Sequence, residues 1–309
     1  MQLRGLFFMS SLLCAAASYG QGCSDAGFCT AGTMQGGKAV ADSSNRPGSI
    51  GLSVTAGAGE NGTMIWVPQL EGSIGIGRRG VLEGKLPYSV ASGNLGRHAG
   101  PGDPIITYSH ILAAHPGKLV WTATVGLRIG INNANATDGG RALPMPYQSG
   151  LGTTDVIVGL GAKYRHWLSG AIGYQQPVWQ YNDNGYLPAI LYPTNAADTL
   201  YFASRRLRRK GDLLARVEVG GHWHRWAASA GPLLICHLGT DNITLADGSS
   251  TALQGSAGAT LNLSGTLAYT TGRMKITLIG GSPFIVRTYR PDGLTRSWVI
   301  TLRYSYNLR

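Results

Sequence analysis

The sequence predicts an all-β protein, a transmembrane antiparallel β-barrel of about 12 to 14 strands, and three observations carry that prediction. Strand-length segments of alternating polarity recur from about Gly48 to the end of the chain, and a period of two puts successive side chains on opposite faces of a sheet. Charged residues make up 13% of the 309, about half the usual share of roughly 25%. Short connections alternate with long ones rich in Gly, Pro and Asn, as turns and loops alternate at the two ends of a barrel.

The clearest strand is Asp212 to Trp226, DLLARVEVGGHWHRW. Leu213, Ala215, Val217, Val219, Gly221 and Trp223 share one face, while Leu214, Arg216, Glu218, Gly220, His222 and His224 share the other. Such a face can meet a soluble core or lipid, and composition decides between them. Hydrophobic residues are an ordinary 43%, but the 46 glycines are about twice the usual share of roughly 7%. A soluble chain of this length covers itself with charge, so the shortage points to lipid. Aromatic residues gather near strand ends, as at Trp121, Tyr164, Trp223, Tyr304 and Tyr306, where interfacial belts form. A sheet can cross a bilayer only when it closes on itself, because every backbone group there must be paired.

Residues 1–20 read as a secretory signal. Arg4 supplies the positive region, Leu6 to Ala17 the apolar stretch, and Ser18-Tyr19-Gly20 a small-x-small cleavage site. The stretch is too short to span as a helix. A lipoprotein anchor at Cys14 or Cys23 is the alternative, and neither cysteine follows a lipobox. Residues 21–47 form an irregular Gly- and Ser-rich segment on or inside the main domain, and the barrel covers 48–309. In an oxidising compartment Cys23 and Cys29 suit a small disulfide loop, the alternatives being unpaired thiols or a metal-binding pair. Cys236 is expected to serve packing.

Along the barrel, Asn61-Gly62 marks the first hairpin. Ser92 to Asp103 reads as a loop, His115 to Gly117 and Leu168-Ser169 as short turns, and Asn132 to Gly152, Asn182 to Asp198 and Thr240 to Gln254 as long loops. Lys118 to Ile131 repeats the opening pattern, with Trp121, Val125 and Leu127 against Thr122, Thr124 and Arg128. Thr199 to Arg209 is expected to be a strand. The closing strand sets Ile300, Leu302 and Tyr304 against Thr301 and Arg303.

Gly150 to Arg165, GLGTTDVIVGLGAKYR, resembles the GxGD-strand-KYR signature of the outer-membrane transporters associated with meta-pathway phenol degradation, a group similar in architecture to the long-chain fatty-acid channels. Gly100 to Leu112 is a weaker echo. The resemblance implies a location in the outer membrane of a Gram-negative bacterium, and says less about a solute. Two features depart from it: the chain ends Asn307-Leu308-Arg309 without a terminal aromatic, and 21–45 is shorter than the fatty-acid channels' plugging hatch.

The net charge of +11 needs a home. Nucleic acid is not an expected partner, since no dense basic run exists beyond Arg205 to Lys210 and the signal directs the chain out of the cytoplasm. Facing lipid, each Arg or Lys near the midplane costs about 2 to 4 kcal/mol, so the charges should line the lumen. The expected lumen and solute-contact residues are Arg128, Asp155, Lys163, Arg165, Arg216, Glu218, His222, His224 and Arg303, with Arg206 and Arg208 also on polar faces. A cationic lumen favours anions, while the bland alternative is ion pairing within a filled barrel or contact with lipopolysaccharide phosphates at the rim. His222 and His224 share a face, but no third metal ligand is evident, and they read as polar wall. No local motif ties a serine to His110, His166, His222 or His237, so no enzyme is expected. No cofactor is expected either. The sequence thus predicts a channel or passive transporter for a small, anionic or amphipathic solute, in contact with the lipid bilayer; the rival is a non-conducting barrel that anchors or binds a protein partner.

Overall fold

The computed structural model describes residues 31–35, 48–115, 119–188, 197–294 and 297–308. The expected signal peptide and the Cys23 and Cys29 pair lie outside them. The first half contributes strands β1 (Gly48–Ala58), β2 (Met64–Ile76), β3 (Gly80–Gly93), β4 (Gly96–Pro101), β5 (Ile105–His115) and β6 (Leu119–Arg128). A small hairpin, β7 (Thr137–Asp138) and β8 (Arg141–Ala142), decorates the following loop. Next come β9 (Thr153–Tyr164), β10 (Leu168–Gln180), β11 (Asp212–Trp223) and β12 (Trp226–His237). After a second hairpin of β13 (Asn242–Thr244) and β14 (Ser250–Ala252), the chain closes with β15 (Gly258–Thr271), β16 (Met274–Ile285) and β17 (Trp298–Asn307).

Every neighbour in the sheet is antiparallel, and β1 meets β17 from Ser49 opposite Asn307 to Ala58 opposite Trp298. Twelve strands close the barrel, and β4 is a thirteenth that folds back on the upper part of β3. The Ser92 to Asp103 stretch is therefore mostly strand, contrary to the loop expected there. Asn61 and Gly62, with φ of 50° and 78°, turn the chain between β1 and β2; these are the residue types that enter the left-handed region most readily. The turn after β9 is Arg165 to Trp167, with Leu168 and Ser169 already in β10, which corrects the expected position. β10 bulges between Pro177 and Trp179, where the proline supplies no ladder donor.

Alternation holds through the barrel. On β11, Leu213, Val217, Val219 and Trp223 are exposed on the outer wall, while Asp212, Leu214 and Glu218 are buried inside. On β6, Thr122, Thr124 and Arg128 are buried, and Trp121, Val125 and Leu127 face out. Two aromatic belts border this apolar wall. Trp121, Tyr164, Trp167, Trp223, Trp226 and Tyr304 lie toward the short-turn end, and Trp66, Trp179, Tyr181 and Trp298 toward the long-loop end. An apolar band between aromatic girdles is the wall of a barrel that spans a bilayer.

The long loops fold into their own packed layer. Ala134, Met145, Leu151, Leu187, Leu207, Ile243 and Leu253 form one buried apolar cluster, and Ile65, Ala91, Leu143, Tyr147, Tyr186 and Tyr201 another. Thr199 to Arg209 belongs here and is not the strand the sequence suggested: apart from a 3-10 turn at Asp198–Leu200 and a single bridge from Arg208 to Asn242, it makes no ladder. Its apolar residues, Leu200, Tyr201, Phe202 and Leu207, mimic a strand in composition; Tyr201 and Leu207 spend their burial on loop clusters instead.

Candidate functional site

The lumen is built in three tiers. At the short-turn end lies a polar cavity of about 640 Å³. Its wall is the inward face of the strands, where Gly51, Gly161 and Gly220 leave room and charged side chains such as Glu71, Lys163 and Glu218 take neighbouring inward positions. Lys85, Lys163, Arg165, Arg216, Lys275 and Arg303 line it against Glu71, Glu83 and Glu218, so cations outnumber carboxylates. Arg303 Nε donates to Glu71 at 3.0 Å, and Ser53 also donates to that carboxylate at 2.7 Å. Arg216 Nε stands 3.7 Å from Glu218, whose other oxygen accepts from Ser229 at 3.0 Å. His166 and His222 meet edge to face with ring centroids 5.4 Å apart.

Above this cavity the lumen narrows onto an apolar tier. A 3-10 turn at Gly32–Met34, from the segment preceding β1, sits inside the barrel against β5, β6, β9 and β10. Met34 and Ala31 are fully buried with Ile105, Ile157, Leu214 and Leu233, inward residues of four different strands. The turn is seated by Thr33 N donating to Thr124 Oγ1 at 3.1 Å. Gly159 and Gly161 make its seat: a Cβ at Gly161 would lie 2.9 Å from Thr33 Cβ, and one at Gly159 would strike Met34 Sδ. The segment read as irregular and too short for a hatch thus places one turn in the lumen.

The third tier, beneath the loops, is charged. Asp155 is fully buried and accepts from Arg128 Nη2 at 2.6 Å, Thr153 Oγ1 at 2.6 Å and Gln175 Nε2. Arg209, from the loop before β11, reaches Asp212 at 2.9 Å and Asp292 at 3.6 Å. His237 bridges Asp212 through Nδ1 at 2.6 Å and Asp241 through Nε2 at 2.7 Å. Carboxylates only accept, so this ring donates from both nitrogens. Arg287 pairs with Asp292 and donates to Ser256 O at 2.7 Å. These pairs tie three long connections to the barrel wall.

The polar cavity and the charged tier divide the residues expected in the lumen. Lys163, Arg165, Arg216, Glu218, His222 and Arg303 line the cavity. Arg128 and Asp155 lie in the charged tier, closed off from it. His224 stands in the turn between β11 and β12 with φ of 55°, exposed and off the cavity wall, because the face alternation ends where the strand does. Arg206 and Arg208 are exposed on the outside of the loop layer and not on a lumen face. Sequence reasoning missed Glu83, Lys85 and Lys275. The signal was present in VLEGKL, where Val81, Glu83 and Lys85 alternate inward. It also missed Arg209, His237, Asp241, Arg287 and Asp292 as a group, whose members meet only through the tertiary fold.

Among the loop groups, burial by itself raises the pKa of Asp292, yet Arg287 and Arg209 beside it hold the carboxyl at about 2. A carboxyl held below its ordinary 3.8 contributes stability that is complete above that value and lost as pH falls through about 2. The Asp292 contribution is therefore expected to be intact at about pH 5 and to weaken only below about pH 4, by on the order of 2 kcal/mol. Amide exchange of the connection between β16 and β17, followed against pH, measures it; protection lost already near neutrality would refute it.

No protein-family model matches the chain, and no curated protein does. Among solved structures the barrel is similar to an outer membrane channel of Pseudomonas putida F1, at 16% identity over 84% of this chain and 94% of that one, with a TM-score of 0.58. The NanC porin is similar at 9% identity over 84% of this chain and 99% of that one, with a TM-score of 0.46. The outer membrane phospholipase A of Escherichia coli follows at 9% identity, 87% and 96% coverage and a TM-score of 0.37. At such identities the first likeness establishes a shared barrel architecture, and the other two carry no argument.

Proposed function

We propose that the protein is an outer-membrane channel of a Gram-negative bacterium for a small anionic solute, closed in the state described by the turn at Gly32–Met34. The observation that carries this reading is the cation-rich cavity of about 640 Å³ inside a lipid-facing barrel. A lumen with surplus Lys and Arg concentrates anions by its field. The apolar closure comes from a segment outside the strand ladder, held chiefly by packing, so it can leave without breaking the barrel. The resemblance of Gly150 to Arg165 to the phenol-degradation transporters supports the outer-membrane location. Of the charged residues on the cavity wall, Arg216, Lys163 and Arg303 would contact the solute.

The rival reading, a non-conducting barrel that anchors or binds a partner, is favoured by one observation: the upper lumen is filled by the charged tier and the loop clusters. Planar-bilayer recording separates the two. A conducting barrel is expected to prefer anions, and Arg216→Ala with Lys163→Ala is expected to shift the reversal potential in a salt gradient toward cations and to cut anion preference several-fold. Correctly inserted protein that never conducts, with or without the turn, would establish the rival.

A further inference from the structure

The loop layer carries a second charged surface, on the outside of the barrel. From Arg205 to Lys210 the chain turns at Arg206, whose φ is 49°, and then passes beside the upper end of β10. Arg209 N donates to Gln180 Oε1 at 2.7 Å and Gln180 Nε2 donates to Arg209 O at 2.9 Å. Arg208 N donates to Asn242 O at 2.8 Å, fixing the other edge. Leu207 and Arg209 are buried, while Arg206, Arg208 and Lys210 are exposed. Arg206 pairs with Asp183 at 3.2 Å in the open, and Arg208 donates to the Gln180 carbonyl.

The level of this face identifies its partner. Trp179, 71% exposed, and Tyr181 flank Gln180 on the outer wall, and Leu238 is exposed just past the end of β12. Aromatic rings at strand ends sit at the headgroup level of a bilayer. Arg208, level with Gln180, is therefore at the height of lipid phosphates, with no lumen between them. Guanidinium groups bind phosphate oxygens in a two-pronged geometry, and clustered cations at a membrane surface select anionic headgroups.

We propose that Arg206, Arg208 and Lys210 form a binding site for the phosphates of the outer leaflet's phosphorylated glycolipid, lipopolysaccharide. The aromatic side chains of Trp179 and Tyr181 pack the sugar and acyl boundary below the phosphate. The site anchors the loop layer, because the same segment carries Arg209 into the charged tier. It rests on the outer-membrane reading and is independent of whether the lumen conducts.

The test uses the full-length protein in detergent, with diphosphoryl lipid A as probe and native mass spectrometry as readout. Lipid A is expected to bind, with fully dephosphorylated lipid A and inorganic phosphate binding far more weakly. The triple variant Arg206→Ala, Arg208→Ala, Lys210→Ala is expected to weaken binding by roughly a hundredfold, each cation at an anionic lipid surface contributing about fivefold. Because Arg208 also touches Gln180, Lys210→Glu alone serves as a second variant that leaves that contact in place, and Arg206→Lys with Arg208→Lys is expected to keep most of the binding. Equal binding by the triple variant and by Lys210→Glu, or equal binding of dephosphorylated lipid, overturns the proposal. Saturation by inorganic phosphate alone also overturns it, in favour of a free-anion site. A barrel that conducts anions but shows no lipid A binding would fail this inference and leave the channel reading standing.

Discussion

Met34→Asp is expected to release the turn from the lumen and raise ion current through the barrel at least tenfold. The side chain is fully buried against Ile105, Ile157, Leu214 and Leu233, none of which can pair with a carboxylate. An unpaired charge in such a setting carries an effective penalty of several kcal/mol, so the seated population should fall more than a hundredfold. The barrel itself should survive, since the turn contributes no strand to the ladder. Recording in planar bilayers gives the current, and protease accessibility of the segment preceding β1 reports independently whether the turn has left. Met34→Leu, which keeps the apolar contact, should behave as the native protein. A released turn with unchanged current would place the barrier in the charged tier above it.

The largest effect on stability is expected from Asp155→Ala. This carboxylate is fully buried and is the acceptor for Arg128, Thr153 and Gln175, with Arg209 at 4.0 Å. Its loss leaves Arg128 and Arg209 buried beside an apolar methyl, and removing one partner of a buried pair costs about 3–5 kcal/mol. The unfolding midpoint in urea, followed by the mobility shift of the heated barrel, should fall accordingly. Asp155→Asn, which keeps two polar atoms in place, should be milder, and the double variant Arg128→Leu with Asp155→Leu milder than either fear of an unpaired charge implies. If Asp155→Ala unfolds at the native midpoint, the charged tier does not hold the loops to the wall.

How much of this was legible varies along the chain with the range of the forces involved. On β6, β9, β11 and β17 the inward and outward sets follow from alternation alone, because a strand fixes its side-chain directions locally. Thr199 to Arg209 failed for the complementary reason: a run of aromatic, apolar and basic residues looks like a strand, but its hydrogen bonds go to Gln180, Asn184 and Asn242 across long loops. His224 failed by a single residue, where a turn with positive φ ended the pattern. Nothing near His237 in the chain except Asp241 hints at its partners, and Asp212, Arg209 and Arg287 come from other elements.

The sequence by itself determined the closed all-β architecture, the lipid-facing set, the aromatic belts and the cationic character of the lumen. Each of these depends on side chains repeating with a fixed local period or on composition summed over the chain. Only the tertiary structure decided that the lumen is divided, with Lys163 and Arg216 in an open cavity and Arg128 and Asp155 locked beneath the loops. That division arises because a short turn finds its seat on two glycines about 130 residues further along, a meeting that loop closure and packing select and no local pattern encodes.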